Sequence, residues 1–245
     1  MVLAGDRETA QGPRGVKPYY QDETVTLWLG DCREVTDWLA ADVLVTDPPY
    51  GIGWKRPELA WTHNPEAHDG IAGDGDTVAR DAALTAWGAA RPALVFGSLR
   101  APYPGDWKRM LVFRKPIIGG GLIGNRMPWF TNWEPVFVLG AWPKQVPALD
   151  SVISTAAPSV SGYSGYTTRY QHPHAKPVDV MEALIAACPP GVIADPFAGS
   201  GSTLVAARNL GRRAVGVEVD ERYCETAARR LSQMTLGEFC LAAPG

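Results

Sequence analysis

Apolar and polar positions alternate from Thr24 to Leu29, and the run stops at Gly30-Asp31, which predicts a β-strand. Short, nearly continuous apolar runs follow at Asp42–Thr46, Ala93–Phe96, Met110–Phe113, Glu134–Leu139, a stretch ending at Asp195, and Ala214–Val219. Each is long enough for a buried strand and too short for a helix. Helical spacing of apolar residues marks Val35–Ala40, Thr77–Ala90, Val178–Ala187, Leu204–Leu210 and Glu221–Met234. Their stop signals are Arg91-Pro92, Pro189-Pro190 and Gly211. Strands alternating with helices predict an α/β fold, a doubly wound and largely parallel sheet. Ligands in such sheets sit at the carboxyl ends of the strands. Asp31, Asp47, Asp195 and Glu218 all fall at predicted strand ends, which would set them along one rim.

Three stretches break the pattern. Met1–Val16 is polar and Gly-rich, without the apolar core of an export signal, and is expected to be a tail. Gly51–Asp76 is long, polar and rich in Gly, Pro, Trp and His, more than a connection needs. Trp142–Gln171 has little periodicity and much Pro, Ser, Gly and Tyr, and Pro116–Asn132 is Gly-rich. With 245 residues, the chain suffices for one α/β domain with a sizeable core. Hydrophobic residues at 46% and charged ones at 20% are ordinary for a soluble globular protein. No run reaches the roughly 18 apolar residues of a membrane span. The four cysteines are scattered without a Cys-x-x-Cys pair, which reads as reduced thiols in a cytoplasmic protein.

Chemistry enters with two segments. Residues 45–50 read Val-Thr-Asp-Pro-Pro-Tyr. Asp47 offers a carboxylate acceptor, and the Pro48 carbonyl, fixed between two rigid rings, offers a second. Tyr50 offers a flat face for stacking a base. Such a set can hold an exocyclic amine, although a Pro-Pro pair is also an ordinary end to a strand. Residues 192–203 read Val-Ile-Ala-Asp-Pro-Phe-Ala-Gly-Ser-Gly-Ser-Thr, a strand running into a glycine turn and a helix. A second strand follows with acids at Glu218 and Asp220, about twenty residues on, as in nucleotide-binding βαβ units. The turn is not Gly-x-Gly-x-x-Gly, which argues against a dinucleotide.

These segments, with Leu29-Gly30-Asp31-Cys32 upstream and His172-Pro173-His174-Ala175-Lys176-Pro177 between them, resemble the S-adenosylmethionine-dependent DNA amino-methyltransferases of the β group. The resemblance spans roughly residues 24–235. It implies a Rossmann-like, circularly permuted methyltransferase sheet in one domain at 21–240. Behind a tail at 1–20 come a catalytic half at 24–140, a target-recognition insertion at 142–171 and a cofactor half at 172–235. It also implies that Phe197, Ala198, Gly199, Ser200 and Gly201, with Asp195, wrap the methionine part of S-adenosylmethionine. Glu218 would take the ribose hydroxyls, Asp31 the adenine amine with Cys32 beside it, and Lys176 the methionine carboxylate. The catalytic set would be Asp47, Pro48, Pro49 and Tyr50, with Asp47 also at the cofactor.

The partner implied is DNA, from which the target base leaves the stack to reach the methyl group. Asp-Pro-Pro-Tyr favours adenine N6, while cytosine N4, an RNA amine and an inactive cofactor-binding subunit are the other readings. Net charge is −3, so cationic contact must be local. Trp54, Lys55, Arg56, Arg126 and Arg169 are the candidate nucleic-acid contacts, among wider clusters that include Lys108, Arg109, Arg114 and Lys115. Ordinary solvated charge is the bland reading of each. His172 and His174 lack a partner spaced to complete a metal site, and the transfer needs no metal. A homodimer is an open option that could enlarge a small recognition surface.

Overall fold

The computed structural model describes residues 17–53, 73–115, 132–143, 149–155 and 175–233. These carry nine strands in one sheet: β1 Tyr20–Gln21, β2 Val25–Leu29, β3 Val43–Thr46, β4 Ala93–Phe96, β5 Arg109–Arg114, β6 Trp133–Leu139, β7 Val152–Ser154, β8 Ile193–Asp195 and β9 Ala214–Glu218. The described helices are α1 Val78–Trp87, α2 Val178–Ala186, α3 Ser202–Asn209 and α4 Glu221–Ser232, with a 3-10 turn at Asp37–Ala40. The strand order is β1-β2-β9-β8-β3-β4-β6-β5-β7. Thus β8 and β9, from the end of the chain, slot between β2 and β3 from its beginning. All pairings from β2 to β4 are parallel.

Side-chain direction alternates along the central strands and divides the core between two faces. Val43, Val45, Leu94 and Phe96 point to one face, where α2, α3 and α4 pack through Met181, Leu184, Leu204, Ala207, Ala227 and Leu231. Leu44, Val95, Ala194 and Val217 point to the other, against Trp38 and α1 through Ala83 and Trp87. Both faces being covered, β3, β4 and β8 are buried along their whole length, as continuous apolar runs require.

The structure departs from the sequence reading in four places. Antiparallel strands enter a largely parallel sheet: β6 runs antiparallel between β4 and β5, and β1 is antiparallel to β2, while the edge pair β5–β7 is again parallel. Strand β7 pairs with β5 inside the stretch read as lacking periodicity. Only three residues long, it carries no legible alternation. The predicted helix at Val35–Ala40 is a 3-10 turn, pinned by the Trp38 indole donating to the Cys32 carbonyl at 3.0 Å. Tyr19 and Tyr20, expected to lie in a tail, instead pack on the core, and Tyr20 begins β1.

The glycine turn between β8 and α3 is held from outside. Gly201 has φ 80°, and a Cβ there would come within 2.8 Å of Ala227 Cβ on α4, so no larger residue fits. The buried Arg230 of α4 donates to the Ser200 carbonyl at 2.5 Å and to the Ser200 and Ser202 hydroxyls at 3.2 and 3.3 Å. Hence the helix that follows the βαβ unit fixes the turn that opens it.

Candidate active site

A cavity of about 710 Å³ opens at the carboxyl ends of the parallel strands. It lies where the chain leaves β3 toward one face and β8 toward the other, the switch point at which α/β sheets bind ligands. The cavity is lined by Gly30, Asp31 and Cys32 after β2, Asp47 to Tyr50 after β3, and Gly97 to Arg100 after β4. Pro196, Phe197 and Gly199 after β8, with Glu218 at the end of β9, complete that arc. Lys115, Glu134 and Lys176 also line it.

At one end is a chain of alternating charges. Lys176, 3% exposed, donates to Asp47 Oδ2 at 2.5 Å and to the Tyr50 hydroxyl at 3.3 Å. The Tyr50 hydroxyl donates to the other Asp47 oxygen at 2.7 Å. Glu134 Oε2 lies 3.3 Å from the same Lys176 ammonium, while Oε1 pairs with Lys115. Burial pushes the Asp47 carboxyl up, Lys176 opposes that, and Glu134 adds to it. Burial also raises Glu134, but the two lysines outweigh it and hold Glu134 below its usual value.

Asp74 fixes the turn that follows β3. It is 4% exposed, and its Oδ1 accepts from the Tyr50 and Gly51 backbone N–H groups at 2.7 and 2.9 Å. Its carbonyl takes the Gly53 N–H at 2.7 Å. The two ends of the long loop Gly51–Asp76 are thereby joined beside Asp47.

At the other end, the two Glu218 oxygens accept the Gly199 N–H at 2.7 Å and the Asp220 N–H at 2.8 Å. Burial pushes this carboxyl up to about 7. Asp31 accepts from the Arg33 backbone N–H at 2.9 Å and pairs with its guanidinium, which keeps the carboxyl low. Burial raises the Cys32 thiol to about 12, leaving it an uncharged wall of the cavity.

Of the residues expected at the cofactor, Asp31, Cys32, Asp47, Lys176, Phe197, Gly199 and Glu218 line this one cavity. Asp195, Ala198, Ser200 and Gly201 do not. Asp195 lies behind the turn, accepting from the Thr46 hydroxyl at 2.7 Å and the Phe197 N–H at 3.1 Å, and burial pushes it up to about 6. Ala198 faces Gly216, and Ser200 is tied to Arg230. These four shape the turn from within. Trp54, Lys55, Arg56, Arg126 and Arg169 lie outside the described residues, as do His172, His174 and most of the 142–171 insertion.

Sequence reasoning missed Glu134, Asp74 and Arg230. Glu134 stood in an apolar strand run, where one acid among Trp, Pro, Val and Phe was itself the signal of a buried, paired charge. Asp74 stood in Gly-Asp-Gly-Asp ahead of a helix, where capping is the ordinary use of an acid.

The family model described as DNA methylase, of the N6/N4 methyltransferase type, matches residues 105–229. YubD of Escherichia coli (strain K12), a methylase by name, is 43% identical over 220 residues, covering 83% of this chain and 88% of YubD. Type II methyltransferase M.ScaI of Streptomyces caespitosus is 49% identical over 65 residues, 26% of this chain and 21% of that protein. Among solved structures, the cytosine-N4-specific PvuII DNA methyltransferase shares the fold, with a TM-score of 0.62 at 16% identity over 93% of each chain. No helix among the described residues is long and apolar enough to cross a membrane. By the match over half its length and the near full-length likeness to YubD, the chain belongs to the N6/N4 DNA methylase family.

Proposed function

We propose that the protein transfers a methyl group from S-adenosylmethionine to the exocyclic amine of a DNA base, adenine N6 in preference to cytosine N4. One observation carries the reading: a single cavity joins an amine acceptor, Asp47 after β3, to a glycine turn and a buried acid, Gly199 after β8 and Glu218 at the end of β9. The residues fit the cofactor. Glu218 suits two ribose hydroxyls, Asp31 the adenine amine beside Cys32, and the Phe197–Gly199 turn the methionine chain. Lys176 lies in the same cavity and suits the methionine carboxylate as a point cation. When bound, the cofactor supplies a methyl group on a cationic sulfur that departs as a neutral sulfide.

The chain's own part is to hold the nucleophile. An exocyclic amine is weak because its lone pair is spread into the ring. Asp47 and the Pro48 carbonyl accept hydrogen bonds from its two N–H groups, turning the lone pair out of the ring plane toward the methyl carbon. Tyr50, tied to Asp47 through its hydroxyl, keeps a base stacked at that spot. As the nitrogen–carbon bond forms, the nitrogen becomes cationic and acidic, and its surplus proton passes to Asp47 and then to water. Positioning and fixed charge supply most of the rate. Asp47, where a serine would lean to cytosine, supports adenine as the target. Trp54, Lys55, Arg56, Arg126 and Arg169 complete the reading as DNA contacts.

The test is incubation with tritium-labelled S-adenosylmethionine and methyl-free plasmid DNA, then digestion to nucleosides. N6-methyladenine in the digest supports the reading and N4-methylcytosine moves the target base. Label on neither base refutes the function.

A further inference from the structure

Two lysines and two acids meet at the catalytic end of the cavity, and only Asp47 has a role in holding the target amine. Glu134 enters from β6, with one oxygen on Lys115 and the other 3.3 Å from Lys176. Lys176 is therefore shared between two carboxylates: without Glu134, one acid fewer would balance the nearly buried Lys176 ammonium, 2.5 Å from Asp47, and the Lys115 ammonium that Glu134 also pairs. A carboxylate in a site with an excess of nearby positive charge is a poorer base, because the proton it must take is repelled. Glu134 supplies the missing negative charge.

We propose that Glu134 is a positioning residue for the methyl transfer, holding the Lys176 ammonium between two carboxylates so that Asp47 stays free to take a proton. The groups around Asp47 are Lys176 and Tyr50 at hydrogen-bond distance, Glu134 on β6, Lys115 after β5, and Asp195 at the end of β8. Burial raises the Asp47 carboxyl and Glu134 raises it further, in accord with this arrangement. Turnover needs Asp47 ionised, so its titration sets the acid limb of the rate profile. Removing the Glu134 charge moves that limb to lower pH and slows the transfer. Removing Lys115 leaves the whole of Glu134 acting on Lys176 and moves the limb to higher pH.

The inference rests on the function proposed above, and its test separates the two. The pH dependence of kcat at saturating cofactor is measured on methyl-free plasmid DNA for the native protein, Glu134→Gln and Lys115→Met. The Asp47 carboxyl carbon is titrated by NMR in the same three proteins, assigned through Asp47→Asn. Glu134→Gln is expected to shift the limb and the NMR titration down by about one pH unit, the scale of a charge a few ångströms away. Lys115→Met is expected to shift both up. An active native enzyme whose variants lose rate at every pH without opposite shifts overturns the inference and leaves the function standing. A native protein that transfers no methyl group overturns both. A variant that fails to fold shows it in the NMR spectrum, and the other variant's shift then decides alone.

Discussion

Cofactor affinity should rise with pH through neutrality, because of Glu218. Its carboxyl is almost fully buried and accepts two backbone N–H groups, yet burial still lifts it to about 7. Two hydroxyl donors from a ribose would favour the ionised form, so binding expels the proton wherever Glu218 still carries it. With a free-protein value near 7, the ionised fraction rises from about one tenth at pH 6 to about nine tenths at pH 8. Affinity should therefore gain close to tenfold over that span, about 1.4 kcal/mol. Isothermal titration with S-adenosylmethionine in buffers of differing ionisation enthalpy reads both quantities. About half a proton should leave per cofactor bound at pH 7, falling toward none by pH 9. Glu218→Gln should remove the pH dependence and weaken binding by about 1.5–3 kcal/mol, the scale of hydrogen bonds to a charged group. A native protein with flat affinity from pH 6 to pH 8 and no proton release would refute this reasoning, since the buried acid would then not meet the ligand.

Asp47→Ala should abolish methylation while cofactor affinity stays within about tenfold, checked by tritium transfer and titration calorimetry; near-native turnover would remove Asp47 from the chemistry. Asp74→Ala should leave the Tyr50 and Gly51 N–H groups unpaired at a cost of about 1–3 kcal/mol each, read by urea unfolding, and should lower kcat more than cofactor affinity. Arg230→Met should loosen the glycine turn and weaken cofactor binding, although Arg230 does not line the cavity; unchanged affinity in a folded variant would detach α4 from the turn. Target recognition confined to residues 142–171 would leave room for few base-edge contacts, so a target of about two to four base pairs is expected, read by sequencing modified bases in DNA from expressing cells. A defined site of about six base pairs would require a second copy to supply the surface.

The sequence made the central sheet legible because its physics is local. Val43–Thr46, Ala93–Phe96 and Ala214–Glu218 are short apolar runs ended by glycine, proline or acid, and burial on both faces leaves them no alternative. The edge of the sheet was not legible. Strand β7 exists through pairing with β5, a contact between residues 112–114 and 152–154 that no local pattern encodes. The site divides in the same way. Asp47, Phe197, Gly199 and Glu218 sit at strand ends and turns, where residue type and spacing announce a cavity. Glu134 and Arg230 act across the fold, each meaningful only once its partners are in place. Arg230 stood on the amphipathic helix α4 as one more basic residue near a carboxyl end, and its use on Ser200 depends on how α4 packs.

That division bears on how the site comes into being. Strand β3 cannot be completed by its chain neighbours, because β8 must arrive from residues 193–195 to cover its edge. Strand β2 likewise waits for β9. The Gly30 N–H bonds the Glu218 carbonyl at 2.8 Å, joining residues 188 apart in sequence. Closing such long loops costs entropy before any contact repays it, so the central sheet forms late and cooperatively. Asp47 and Glu218 are brought into one cavity by those same pairings. Neither half of the chain presents both Asp47 and Glu218, so the cavity that joins them appears only with the complete fold. A substitution that weakens the β3–β8 seam should therefore lower cofactor binding and stability together, whereas one confined to Asp47 or Glu134 should separate them.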